Sequence, residues 1–215
     1  MKRITFHLDF ISPYAWLAFE RLPQALQGLS YEVVYRPVLL GGMLAALGQL
    51  GPAEVPGKRE WTYRQVLWLA RQHGVPLQMP AAHPFNPLPL LRLALACGQG
   101  GAINRYVCET VLRHVWTGGA DAADPQRLAQ LRTTLAPARD PDAADVKGEL
   151  RANTDAALAQ GIFGVPTMEV DGRLFWGFDA LPMLRAWLEG DAWFDGGDWD
   201  AAARTSVGLQ RARPA

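Results

Sequence analysis

Ile4, Phe6, Leu8 and Phe10 occupy every second position of Lys2 to Phe10, the two-residue period of a strand with one buried face, and His7 falls on the opposite face. The period then lengthens. Ser12-Pro13 opens a helix over Ala15 to Leu26 that stops at Gly28, with serine where an N-cap is favoured and proline at the first helical position. Tyr31 to Pro37, rich in valine and tyrosine, reads as a second strand, and strand, helix, strand makes a βαβ unit for which a right-handed crossover is expected. From Leu39 the pattern predicts only helices and proline-rich joints: Arg59 to His73, about Leu90 to Cys97, Ile103 to Trp116, Pro125 to Leu135, and Asp142 to Gln160. Strands return at Thr167 to Val170 and Arg173 to Trp176, joined by Asp171-Gly172, a strong two-residue hairpin signal. A helix over Ala180 to Glu189 follows, with Asp179 as its expected N-cap, Pro182 in its first turn and Gly190 beyond its end. The remainder, Asp191 to Ala215, sets Trp193, Phe194 and Trp199 among glycine and aspartate, which suggests a strap over the surface and then a frayed end. The predicted organisation is a discontinuous α/β unit (1–41 and 141–190), an all-helical insertion (42–140) and a tail (191–215).

The chain's 215 residues suffice for a sizeable core, and 21 basic against 21 acidic side chains leave no net charge. Without clustered lysine or arginine there is no electrostatic footprint for nucleic acid or an anionic membrane. No apolar run approaches the roughly 20 residues of a membrane span, and Met1 to Asp9 lacks the apolar core of a secretory signal, so a soluble cytoplasmic protein is expected. Cys97 and Cys108 stand eleven apart, matching neither a redox pair nor a zinc spacing, and read as structural thiols. His7, His73, His83 and His114 are scattered, so neither a metal nor a histidine base is assigned. Gly41-Gly42 lacks the flanking pattern of a phosphate loop.

Gly164-Val165-Pro166-Thr167, followed by hairpin and helix, resembles the second half of a thioredoxin-like domain, where that proline is usually cis. The place of the redox pair holds Ser12-Pro13-Tyr14-Ala15, with Ser12 and Ala15 where two cysteines would stand, so dithiol exchange is chemically excluded there. Four segments resemble the 2-hydroxychromene-2-carboxylate isomerases and, more distantly, the kappa-class glutathione transferases: Asp9 to Tyr14, Arg36 to Gly42, His83 to Leu88, and Gly161 to Thr167 with Phe175 to Asp179. The resemblance spans nearly the whole chain.

It implies an α/β, thioredoxin-like fold with a large all-helical insertion, glutathione as a recycled cofactor, and a small aromatic carboxylate as substrate. It implies that Ser12 donates to the glutathione thiolate at a helix N-terminus, where partial positive charge favours an anion. Val165, entering Pro166, would pair backbone to backbone with the cysteinyl unit. Asp179, with Trp176, Gly177 and Phe178 on the same turn, would receive the γ-glutamyl ammonium, and Lys58 the glycine carboxylate. Tyr14 and Asn86 are the substrate candidates, with Trp61 or Trp68 as an aromatic wall. Each has a plainer reading. Ser12 and Asp179 serve equally as N-caps, Lys58 as surface charge, Asn86 as a partner for its own loop backbone, and the tryptophans as core. Many relatives carry an asparagine where Glu54-Val55-Pro56 stands, and dimers are common among them. The rival functions are a kappa-like glutathione transferase or peroxidase and a catalytically silent thioredoxin-fold binding protein.

Overall fold

A computed structural model describes residues 1–206 and 208. β1 (Lys2–Leu8), α1 (Pro13–Ala25) and β2 (Tyr31–Pro37) form the first unit, and β1 and β2 pair in parallel from Lys2 opposite Tyr31 to Leu8 opposite Pro37. Five helices follow: α2 (Leu40–Leu47), α3 (Lys58–His73), α4 (Leu88–Ala96), α5 (Arg105–Trp116) and α6 (Pro125–Leu135). Then come α7 (Ala144–Ala159), the hairpin β3 (Thr167–Val170) and β4 (Arg173–Trp176), and α8 (Leu181–Glu189). The sheet runs β2-β1-β3-β4, with β3 antiparallel to both β1 and β4. At the hairpin, Asp171 (φ 53°) and Gly172 (φ 78°) both take positive φ, the requirement of a type I′ turn.

The core lies against the apolar face of β1. Ile4, Phe6 and Leu8 are sealed from solvent together with Trp16 and Phe19 of α1. Each such side chain contributes about 1.5–3 kcal/mol through its removal from water. Several boundaries differ from the sequence pattern, for local reasons. β1 ends at Leu8 rather than Phe10, and the Ser12 N–H bonds to the Asp9 carbonyl at 3.1 Å as the chain turns into α1. α5 begins at Arg105 rather than Ile103, because Asn104 caps it by accepting from the Val107 N–H at 2.9 Å, while the Ile103 N–H bonds to the Tyr35 carbonyl at 3.0 Å. α4 starts earlier than expected, at Leu88, and Gly41-Gly42 lies inside α2.

The strap expected after α8 is a turn over Ala192–Asp195 and a short helix, α9 (Asp198–Ala202). Phe194 packs edge-on to Phe175 and Trp187, and the Arg173 guanidinium sits 4.5 Å from the Trp187 ring centre and 5.2 Å from that of Trp199. The frayed end expected beyond it falls on residues 207 and 209–215, outside the described residues. Among those described, no helix is long and apolar enough to cross a membrane.

Candidate active site

Ser12 caps α1. Its Oγ accepts from the Ala15 N–H at 3.3 Å and donates to the Val165 carbonyl at 3.3 Å, which joins the start of α1 to the Val-Pro loop 153 residues along the chain. Both residues are nearly buried, at 5% and 8% exposure. The Val165–Pro166 bond is cis. Two hydrogen bonds hold this loop, from Thr167 Oγ1 to the Gly164 carbonyl at 2.8 Å and from the Gly177 N–H to the Pro166 carbonyl at 2.9 Å. A side chain at Gly164 would place its Cβ 2.7 Å from Trp176 Nε1, so only glycine admits the indole there. The Val165 N–H has no partner among the described residues.

The segment before Ser12 is fixed from several sides. Asp9, wholly buried, accepts from the Ile11 N–H at 3.1 Å and the Leu40 N–H at 2.9 Å; burial nevertheless pushes its carboxyl up to about 7, against the lowering by those backbone donors. The Trp116 indole donates to the Phe10 carbonyl at 3.0 Å. His83 Nε2 lies 2.8 Å from the Ile11 carbonyl, a pure acceptor, so that nitrogen carries the proton, and Nδ1 faces the Tyr63 hydroxyl at 2.8 Å. Burial holds the His83 pKa below its ordinary value, which keeps the ring neutral. The sequence offered only a histidine beside a proline; its partners come from elements far along the chain.

Val165 opens onto a cavity of about 780 Å³. Ser12 does not itself line the cavity; its partner Val165 does. Trp176, Gly177, Phe178 and Asp179 form the wall beside the hairpin, and Tyr14, Arg21 and Ala25 of α1 form another. α3 contributes Thr62, Gln65, Leu69 and His73, and α8 contributes Leu181, Pro182 and Arg185. The Tyr14 hydroxyl donates to Gln65 Oε1 at 2.6 Å, and burial, with the nearby Asp179 charge, raises its pKa, so it stays a protonated donor.

Asp179 is not the N-cap of α8, as the sequence suggested. Ala180 takes that position and Asp179 sits in the tight turn Phe178–Ala180 before it. Gly177 has φ 97°, and a Cβ there would lie 2.5 Å from Asp179 Oδ1, so the turn needs glycine. Freed from capping, the Asp179 carboxylate has no hydrogen bond or ion pair among the described residues and faces the cavity. The cavity thus brings together Tyr14, Val165, Trp176, Gly177, Phe178 and Asp179 of the expected set.

Others fall outside it. Lys58, at the start of α3, is exposed and is not itself among the lining residues, although Thr62, one helical turn on, is. Asn86 is exposed and accepts from the Leu88 N–H at 3.1 Å, satisfying its own loop ahead of α4. Trp61 and Trp68 are neither wall nor core, being 64% and 58% exposed. Glu54 closes the preceding turn through the Gly51 N–H at 2.6 Å. Arg21, Thr62, Gln65, His73 and Arg185 are lining residues that sequence reasoning missed.

A model of the DSBA-like thioredoxin domain matches residues 3–189. A 2-hydroxychromene-2-carboxylate isomerase from Sphingobium xenophagum is 31% identical, the match covering 87% of this chain and 98% of that protein. Glutathione S-transferase kappa 1 from Rattus norvegicus is 29% identical over 86% of this chain and 89% of its own. Among solved structures, a 2-hydroxychromene-2-carboxylate isomerase superposes with a TM-score of 0.72 at 22% identity, covering 95% of this chain and 100% of the other, which establishes a shared fold.

Proposed function

Because the chain belongs to the DSBA-like thioredoxin-domain family, in the branch of 2-hydroxychromene-2-carboxylate isomerases and kappa-class glutathione transferases, we propose that it is a glutathione-dependent isomerase interconverting 2-hydroxychromene-2-carboxylate and trans-o-hydroxybenzylidenepyruvate. The observation that carries the reading is the Ser12 hydroxyl on the Val165 carbonyl at 3.3 Å, at the tip of α1 and the edge of the cavity.

The residues suit a tripeptide thiol. The unpartnered Val165 N–H offers a backbone donor, and the unpartnered Asp179 carboxylate offers an acceptor for an ammonium group. Glutathione, when bound, would supply a sulfur that adds reversibly to the benzylic carbon of the ring-opened enone, letting the former double bond turn before the sulfur is expelled. Ser12 would turn its proton from the Val165 carbonyl to the sulfur and hold it as thiolate, aided by the partial positive charge of the helix end. The Val165 carbonyl, released by Ser12, then accepts from the ligand's backbone. Tyr14, kept protonated, would turn its proton from Gln65 Oε1 to the substrate. Lys58 and Asn86 are not among the residues that line the cavity, and the reading does not use them.

The test is turnover of the chromene with and without glutathione, together with titration of the bound thiol. A charged hydrogen bond of about 1.5–3 kcal/mol corresponds to one to two pKa units at about 1.4 kcal/mol each. Ser12→Ala should therefore raise the thiol pKa by that amount and slow turnover at neutral pH about 10- to 100-fold. An unchanged pKa removes Ser12 from its role. The kappa-class relative at 29% identity favours a second reading, a transferase; stoichiometric loss of glutathione would select it.

A further inference from the structure

The cavity follows one face of α1. Tyr14, Arg21 and Ala25 are spaced by seven and four residues, which places them on one helical stripe. Arg21 therefore lies about 10 Å further along the axis than Tyr14, at about 1.5 Å per residue. Its surroundings differ from those of the other arginine on the wall. Arg185 is held at both terminal nitrogens: Nη1 donates to the Ala25 and Gln27 carbonyls at 2.9 and 3.1 Å, and Nη2 meets Glu189 Oε1 at 2.6 Å, which balances its charge. Arg21 Nη1 donates to Gln24 Oε1 and, at 3.5 Å, to the His73 carbonyl, both uncharged. Among the described residues its Nε and Nη2 have no partner and no carboxylate pairs with it. It is thus charged and uncompensated on the wall of a cavity that the apolar Leu69, Phe178 and Leu181 also line.

A guanidinium with free donors in a fork, next to apolar walls, matches a carboxylate on a largely apolar molecule. We propose that Arg21 makes this end of the cavity a carboxylate-recognising subsite. The cavity's other unpaired charge, Asp179, repels an acid, so the two groups sort a ligand's anionic and cationic ends. The subsite rests on the glutathione-dependent reading only for its occupant, which is either the α-carboxylate of the γ-glutamyl unit or the acid of the aromatic substrate.

Calorimetric titration with 3-phenylpropanoate, 3-phenylpropanamide and glutathione tests it in wild type, Arg21→Gln and Arg21→Lys. Loss of one charge-assisted hydrogen-bond pair should weaken a carboxylate ligand about 10- to 100-fold while leaving the amide unchanged. If Arg21→Gln abolishes the preference for the acid over the amide and spares glutathione, the occupant is the substrate acid. If it weakens glutathione and spares the acid, the occupant is the γ-glutamyl carboxylate. No change in either, in a variant whose circular dichroism and melting match wild type, overturns the subsite. Should Arg21→Gln not fold, Arg21→Lys carries the same comparison, since losing the planar fork still costs part of the effect. Chromene turnover is scored separately. A chain without isomerase activity that still needs Arg21 to prefer the acid loses the functional reading and keeps the subsite; an active isomerase indifferent to Arg21 does the reverse.

Discussion

The two faces of β1 are built on opposite principles. On one, Ile4, Phe6 and Leu8 are fully buried against Trp16 and Phe19, and Tyr35 stands 5.8 Å from the Phe6 ring and 5.4 Å from the Phe19 ring. On the other, His7 and, past the strand end, Asp9 are buried near hydrogen-bonding groups and a smaller apolar cluster of Val38, Met43, Ala157, Ile162 and Val165. Asn153 of α7 donates to the Pro37 and Gly101 carbonyls at 2.9 and 2.7 Å and accepts from Arg36 at 2.9 Å. Thr154 accepts from the Leu39 N–H at 3.0 Å and donates to the Leu150 carbonyl at 2.8 Å. Apolar packing is non-directional and supplies stability; hydrogen bonds are directional and fix where the backbone goes. The directional face reaches the site through Asp9, which orders the turn before Ser12, and Thr167, which orders the loop of Val165.

The sharpest attack on this contrast is Phe6→Ala. Emptying a fully buried aromatic position should cost about 3–5 kcal/mol, measured by urea unfolding, and leave the bound thiol's pKa where it is. A loss under about 1 kcal/mol would mean that the face repacks freely and carries little of the fold.

Next in size is a pH effect confined to the polar face. Burial, with help from Arg36, lowers the His7 pKa from 6.5 to about 4, and His7 Nδ1 is buried without a partner. The unfolded histidine therefore binds a proton that the folded one refuses, and stability rises with pH from about 4 to 6.5. Asp9, raised from 3.8 to about 7 by burial, works the other way: the folded carboxyl keeps a proton that the unfolded one releases, and stability falls over that window. The changes amount to about 3.5 kcal/mol for His7 and about 4.5 kcal/mol for Asp9, at about 1.4 kcal/mol per unit, and in the wild type they largely cancel between pH 4 and 6.5. His7→Gln should leave a protein that weakens as pH rises from about 4 to 7, and Asp9→Asn one that strengthens. Urea midpoints across that range that move in the same direction for both variants would refute the opposition.

Local rules were legible in the sequence, and long-range meetings mostly were not. Alternation along β1, Ser12 before Pro13, and Asp171-Gly172 between two strands each act within a few residues, and the structure follows them. The pairing of Ser12 with Val165 was reachable only through resemblance. Asp179 was misjudged because Ser, Thr, Asp and Asn all suit an N-cap, and the tight turn at Phe178–Ala180 moved the cap one residue on. Arg21, Gln65 and Arg185 went unnoticed because cavity membership depends on how each helix is rotated against its neighbours. Trp61 and Trp68 show the reverse failure, since helical spacing says that two residues share a face and not that anything covers it.

The smallest effect is the most discriminating. Thr167 lies opposite His7 across the β1–β3 ladder, and its hydroxyl donates to the Gly164 carbonyl at 2.8 Å. Thr167→Val keeps the shape and removes that bond, which should cost about 1 kcal/mol. If the polar face acts by direction, the loosened Val-Pro loop also lowers kcat/KM by up to about five-fold, the equivalent of 1 kcal/mol, with a matching weakening of glutathione binding. A Thr167→Val protein that loses stability but keeps its full kcat/KM would make this face packing of another kind, and the division between the two sides of β1 would lose its functional meaning.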